Sequence, residues 1–126
     1  MKDQPDLKKL TAEIVKFRDE RNWKPFQTPK NCVLGILIEA GELADHFHYL
    51  DGDELLEYIE EFKEEIGDEL ADVLYWVLLT AANLDLDLAE VFQRKMKKNA
   101  IKYPVSENGE LVGKLTNRRK NKRAHR

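Results

Sequence analysis

The sequence predicts an all-α domain of four helices. Apolar residues recur at helical spacing through most of the chain, and prolines, glycines and aspartates fall where those runs stop. Two pairs of acidic residues, each three apart, lie inside stretches that are otherwise apolar, a spacing that puts both members of a pair on one helix face. At 126 residues and 42% hydrophobic, the chain suffices for one domain with a modest core, which a partner subunit would complete.

The first helix is expected from Asp6 to about Arg21, with Leu7, Leu10, Ile14, Val15 and Phe17 spaced as one apolar side. Between Asn22 and Pro29, two prolines and two aromatics interrupt it and form a structured loop. Trp23 and Phe26 in that loop either anchor it on the core or line a pocket for a planar base. Thr28 is the expected N-cap of the second helix, with Pro29 at its first position.

The second helix is expected to run to about Tyr49, before Asp51 and Gly52. At 100° per residue, Cys32, Gly35, Glu39, Glu42 and His46 share one stripe. Gly35 leaves room there for a ligand or for a closely packed facing helix. His46 is read as a further ligand or as a hydrogen-bonded helix-end histidine. Cys32, the single cysteine, is read as a packing residue, and it excludes an intramolecular disulfide and suggests a reducing compartment.

After the Asp51-Gly52-Asp53 turn the third helix begins with an acidic run, most of it a solvated face, and becomes apolar from Leu70 to Leu84. Glu65, Glu69, Asp72 and Trp76 share a stripe, so Glu65 either takes part in the chemistry, with a second metal or as a proton acceptor from water, or only supports a metal ligand or stays at the surface. Asp85 or Asp87 is a plausible cap for a last helix from about Leu88 to Lys102. Its lysines form either a charged outer face or a phosphate site.

Glu39, Glu42, Glu69 and Asp72 are the centre of the functional reading. Neither run that holds them, Val33 to Ala44 or Asp68 to Leu79, contains a Lys or Arg. A buried carboxylate without a partner costs several kcal/mol, and a bound cation is the simplest compensation. Oxygen-only ligands favour Mg2+, or Mn2+ in its place, over zinc.

These motifs resemble a known family. Glu39-x-x-Glu42 followed one helix later by Glu69-x-x-Asp72 resembles the MazG-like all-α nucleoside triphosphate pyrophosphatases. The segment Arg21, Asn22, Trp23, Phe26, Gln27, Thr28, Pro29, Lys30 and Asn31, and the later Lys95, Met96, Asn99, Lys102, Tyr103 and Pro104, are similar to the dCTP pyrophosphatase branch. The resemblance implies a four-helix bundle of the MazG-like type, completed by association as a dimer or tetramer, and spans the chain to Pro104. It implies metal ligation by Glu39, Glu42, Glu69 and Asp72, and Mg2+-dependent hydrolysis of a (deoxy)nucleoside triphosphate to the monophosphate and pyrophosphate, a nucleotide-pool house-cleaning role. No nucleophilic side chain is needed. It also places phosphate binding on Lys95, Asn99, Lys102 and Tyr103. It supplies no histidine ligand, which favours the helix-end reading of His46. A base pocket is expected from Trp23, Phe26, Tyr49 and Trp76, with Gln27, Asn31 or His46 supplying discrimination.

The net charge of −3 conceals an asymmetry. Residues 111–126 carry seven basic residues and no acid, leaving 14 basic against 24 acidic in residues 1–110, a balance of −10. Residues 105–126 are read as a basic, flexible tail following a domain over residues 1–104. An acidic body argues against nucleic acid as a partner except through that tail. With neither a leader pattern nor a long apolar run, no membrane association is expected and the protein is read as cytoplasmic. Two rival readings are weaker. A di-iron carboxylate bundle wants Glu-x-x-His in two helices, and only Asp45 and His48 come near it. A non-catalytic helical adaptor with a nucleic-acid-binding tail leaves the four sequestered acids unexplained.

Overall fold

A computed structural model describes residues 4–105. Among them are five helices and no strand: α1 (Leu7–Glu20), α2 (Pro29–Asp45), α3 (Gly52–Glu61), α4 (Lys63–Asn83) and α5 (Leu88–Lys102). The all-α class follows the sequence reading, with one more helix than its pattern suggested. The fold divides into two compact units. The first, reaching Leu88, holds α1 to α4, and the second, from Ala89, consists of α5 and the residues after it as far as Val105. The proposed tail, apart from Val105, lies outside the described residues.

Local chemistry sets the helix starts. The Asp6 carboxylate accepts from the Lys9 backbone N–H at 2.9 Å and caps α1. Thr28 caps α2 by accepting from the Asn31 N–H, with Pro29 in the first turn, where a missing N–H costs nothing. Asp85 sits in the turn after α4 with a left-handed φ of 53°, and Asp87 directly precedes α5.

Two expected boundaries are corrected. The second helix ends at Asp45 and not at Tyr49, because the His46 and Phe47 N–H groups bond three residues back to Leu43 and Ala44, tightening the chain into a turn. The single third helix is two. At Phe62 (φ −108°, ψ 23°) the chain leaves helical geometry, with its ring packed on Tyr58 at 4.5 Å between centroids.

In the first unit α4 is the central element, packing mainly on α2, then on α1 and least on α3. The buried core is small: Cys32 from α2, and Ile66, Leu78, Leu79 and Ala81 from α4. Arg18 is buried with them. Its Nε donates to Asp19 at 2.9 Å and an Nη donates to Asn83 Oδ1 at 3.1 Å, which ties α1 to the end of α4. Asn83 Nδ2 in turn donates to the Gln27 carbonyl and to Cys32 Sγ. Cys32 thus packs as expected, and burial pushes its thiol pKa up. Among the described residues no helix is long and apolar enough to cross a membrane.

Candidate metal centre and adjoining cavity

Glu39 on α2 and Glu69 and Asp72 on α4 bring carboxylate oxygens within 4.8 Å of one another. The i to i+3 spacing on α4 and the packing of α4 on α2 produce this meeting of acids. Glu39 Oε2 and Glu69 Oε2 are buried without a hydrogen-bond partner. Among the described residues no Lys or Arg forms an ion pair with any of these acids. Burial first, then the hydrogen bond and charge of Glu42, then Asp72 and Glu69, push the Glu39 pKa up to about 7. Burial also raises Glu69, followed by the charge and hydrogen bond of Glu42 and the charge of Asp72, while a hydrogen bond with Glu39 opposes the rise.

Oxygen donors in surplus, two of them orphaned and buried, suit a hard divalent cation, and Glu39, Glu69 and Asp72 can hold one. Glu42, the fourth expected ligand, is solvent-exposed and borders the group through its contacts with Glu39 and Glu69. Glu65 is exposed and stands outside the converging set.

Trp76 fills the space that Gly35 leaves. A Cβ on Gly35 would lie 2.5 Å from Trp76 Cδ2, so the glycine lets the indole of the facing helix lie against the α2 backbone. Of the two readings of Gly35, close helix packing is the one observed. Among the described residues the four expected base-pocket aromatics, Trp23, Phe26, Tyr49 and Trp76, make no direct ring contact with one another. Edge-to-face contacts run instead from Trp23 to Phe17 (5.7 Å), from Phe17 to Tyr75 (6.3 Å) and from Tyr75 to Trp76 (5.0 Å). Phe26 is 71% exposed, and Tyr49, in the turn beyond α2, is 86% exposed with its ring against His48.

Gln27 and Asn31 are used in holding the loop. Gln27 Oε1 accepts from the Tyr75 hydroxyl at 2.8 Å, and Asn31 Nδ2 donates to the Phe26 carbonyl at 2.8 Å. His46 Nδ1 lies 2.7 Å from the Tyr58 hydroxyl, as expected of a helix-end histidine tied by a hydrogen bond. In the second unit, positions 95, 99 and 102 share a face of α5. Lys95 and Lys102 are exposed, Asn99 Nδ2 lies 3.8 Å from Met96 Sδ, and Lys102 Nζ stands 5.8 Å from the centroid of the Tyr103 ring.

Sequence reasoning missed a cavity of about 320 Å3 between α1 and α4, beside Asp72. Leu10, Ile14 and Phe17 line one side and Tyr75 and Leu78 the other, with Glu13 and Asp72 among its lining residues. Its signal was available: Leu10, Ile14 and Phe17 form the apolar stripe of α1, and Tyr75 follows Asp72 by three.

Residues 27–106 match the family model described as the MazG nucleotide pyrophosphohydrolase domain. The chain is similar to dCTP pyrophosphatase 1 of Rattus norvegicus, 35% identical over 102 residues, and of Homo sapiens, 34% identical over 102 residues. Each alignment covers 79% of this chain, which spans 58% of the length of these curated relatives. A crystal structure of a pyrophosphatase from Archaeoglobus fulgidus superposes with a TM-score of 0.74 at 35% identity, covering 82% of this chain and 97% of that one.

Proposed function

The chain belongs to the MazG nucleotide pyrophosphohydrolase family, and from that premise we propose that it hydrolyses nucleoside triphosphates to the monophosphate and pyrophosphate with Mg2+, or Mn2+ in its place. The observation that carries this reading is the meeting of Glu39, Glu69 and Asp72, with two buried carboxylate oxygens left unpartnered. Those three residues, with Glu42 at their border, would hold the metal. Bound there, a divalent cation would supply positive charge to offset the negative charge of the phosphate oxygens. Glu65, exposed one turn before Glu69, accepts a proton from the attacking water. Lys95, Asn99, Lys102 and Tyr103, in the second unit, are the residues that the family resemblance assigns to phosphate binding.

The cavity beside Asp72 takes the base. Phe17 and Tyr75 bound it, and the edge-to-face series extends to Trp23 and Trp76. Gln27 acts there by fixing the Tyr75 hydroxyl, and Asn31 by fixing the loop at Phe26. Phe26 and Tyr49, both solvent-facing, contact substrate only from the rim. The relatives' name makes dCTP the first nucleotide to try, and a deoxynucleotide house-cleaning role in the cytoplasm fits a reduced, buried Cys32. The protein acts as a homo-oligomer, because α2 turns an apolar side to solvent.

The test is pyrophosphate release from a panel of ribo- and deoxynucleoside triphosphates with Mg2+ and with Mn2+. Metal-dependent release is expected, with equal monophosphate. No release from any nucleotide with either ion would overturn the reading.

A further inference from the structure

We propose that Glu13 selects the base, favouring bases with an exocyclic amino group, such as cytosine and adenine, over bases with a carbonyl at that position. This rests on the reading that the cavity beside Asp72 takes the base of the nucleotide. Its lining is mostly apolar, and the named polar groups there are Asp72, the Tyr75 hydroxyl and Glu13. Asp72 belongs to the metal set. The Tyr75 hydroxyl gives its proton to Gln27 Oε1 at 2.8 Å. Glu13, on the same side of α1 as Ile14 and Phe17, has no hydrogen bond or ion pair within the described residues and is the lining group left to read a ligand.

An ionised carboxylate only accepts hydrogen bonds. It takes an N–H from an exocyclic amine and repels a carbonyl oxygen set in the same place. The rings of cytosine and uracil match in size, so apolar walls alone separate them poorly, and the charge of Glu13 supplies the difference. Because Glu13 is solvent-exposed, water competes for the contact, and the discrimination is on the order of tenfold in kcat/KM.

The full-length protein is compared with Glu13→Gln and Glu13→Leu on two matched pairs, dCTP with dUTP and dATP with dITP. The affinities of dCMP and dUMP are measured by calorimetry, which needs no turnover. The original protein is expected to favour the amino member of each pair about tenfold. Glu13→Gln brings the ratio close to one, because an amide can present either its oxygen or its NH2. Glu13→Leu weakens the amino members and leaves the carbonyl members unchanged or improved. The effect falls on KM and on the monophosphate affinity more than on kcat, and the melting temperature stays within a few degrees, which separates selection from a structural role. If a variant does not fold, Glu13→Asp replaces it and is expected to reduce the ratio by withdrawing the carboxylate. Equal affinity for dCMP and dUMP in the original protein, or a ratio that survives Glu13→Gln, overturns the proposal while the hydrolase reading stands. Selective dCMP binding that depends on Glu13, without pyrophosphate release, removes the hydrolase reading and keeps Glu13.

Discussion

Glu39 bears the largest electrostatic load at the candidate metal centre, being half-buried, with an orphaned oxygen and acidic neighbours in Glu42, Glu69 and Asp72. Replacing Glu39, Glu42 or Glu69 by Gln, or Asp72 by Asn, removes a ligand charge while keeping shape. Each variant is expected to keep its helical circular dichroism and lose at least about a hundredfold in metal-dependent turnover, the scale of electrostatic groups that stabilise a transition state. A folded variant with near-normal turnover would remove that residue from the site. The same load gives stability a pH dependence. A Glu39 pKa of about 7 lies above the ordinary value of 4.5, so the folded state holds the proton more tightly than the unfolded chain. That contribution is fully present below about pH 4.5 and is lost as pH rises through about 7. Chelator-treated protein should therefore melt lower at pH 8 than at pH 5, and Mg2+, which binds the ionised carboxylates, should recover more stability at pH 8. A melting temperature of the chelator-treated protein that climbs across this window would contradict the assignment.

The elements were legible in the sequence where local chemistry defines them and obscure where distant residues do. Thr28-Pro29 announces the start of α2, and the Leu84-Asp85-Leu86-Asp87 break separates α4 from α5. Phe62 announces nothing. It is no helix breaker, and the split there shows in its backbone angles and not in its residue type. The carboxylate spacing was readable because i to i+3 is a property of one helix, whereas the cavity depends on how α1 lies against α4. Arg18 shares the apolar side of α1 with Ile14, a signal passed over, but its partner Asn83 is 65 residues away. That pair yields a prediction about the elements it joins. Asn83→Ala leaves the buried guanidinium, the Gln27 carbonyl and the Cys32 thiol short of one partner each. The expected cost is about 2 to 4 kcal/mol in urea unfolding, with changed Trp23 fluorescence as the loop loosens. A loss under about 0.5 kcal/mol would mean that water replaces the amide without cost.

At the scale of the whole molecule, α2 is the element that one chain leaves unfinished. Its inner stripe, with Cys32, Gly35 and Glu39, faces α4. On the opposite side, at 100° per residue, lie Val33, Leu34, Leu37, Ile38, Ala40, Gly41 and Ala44, with Lys30 and Asp45 the charged residues at the two ends of that side. Val33, Leu34, Leu37 and Ile38 are 53%, 44%, 70% and 60% exposed. An apolar side this long is normally covered, and the small residues Ala40, Gly41 and Ala44 would let a second helix approach closely. A second copy of the chain is the expected cover, since a two-fold axis sets the same side of α2 against itself. Light scattering should then return two or four times the chain mass of 14.7 kDa. Leu37→Glu combined with Ile38→Lys places opposite charges next to each other, so neither the net charge nor the inner stripe changes. The pair should give the single-chain mass with helical content retained. Melting should fall, and because Glu39 adjoins the altered positions, metal affinity should weaken as α2 loses its support. If the original protein already runs at the single-chain mass, or the double variant keeps the assembled mass, this side of α2 is not the interface.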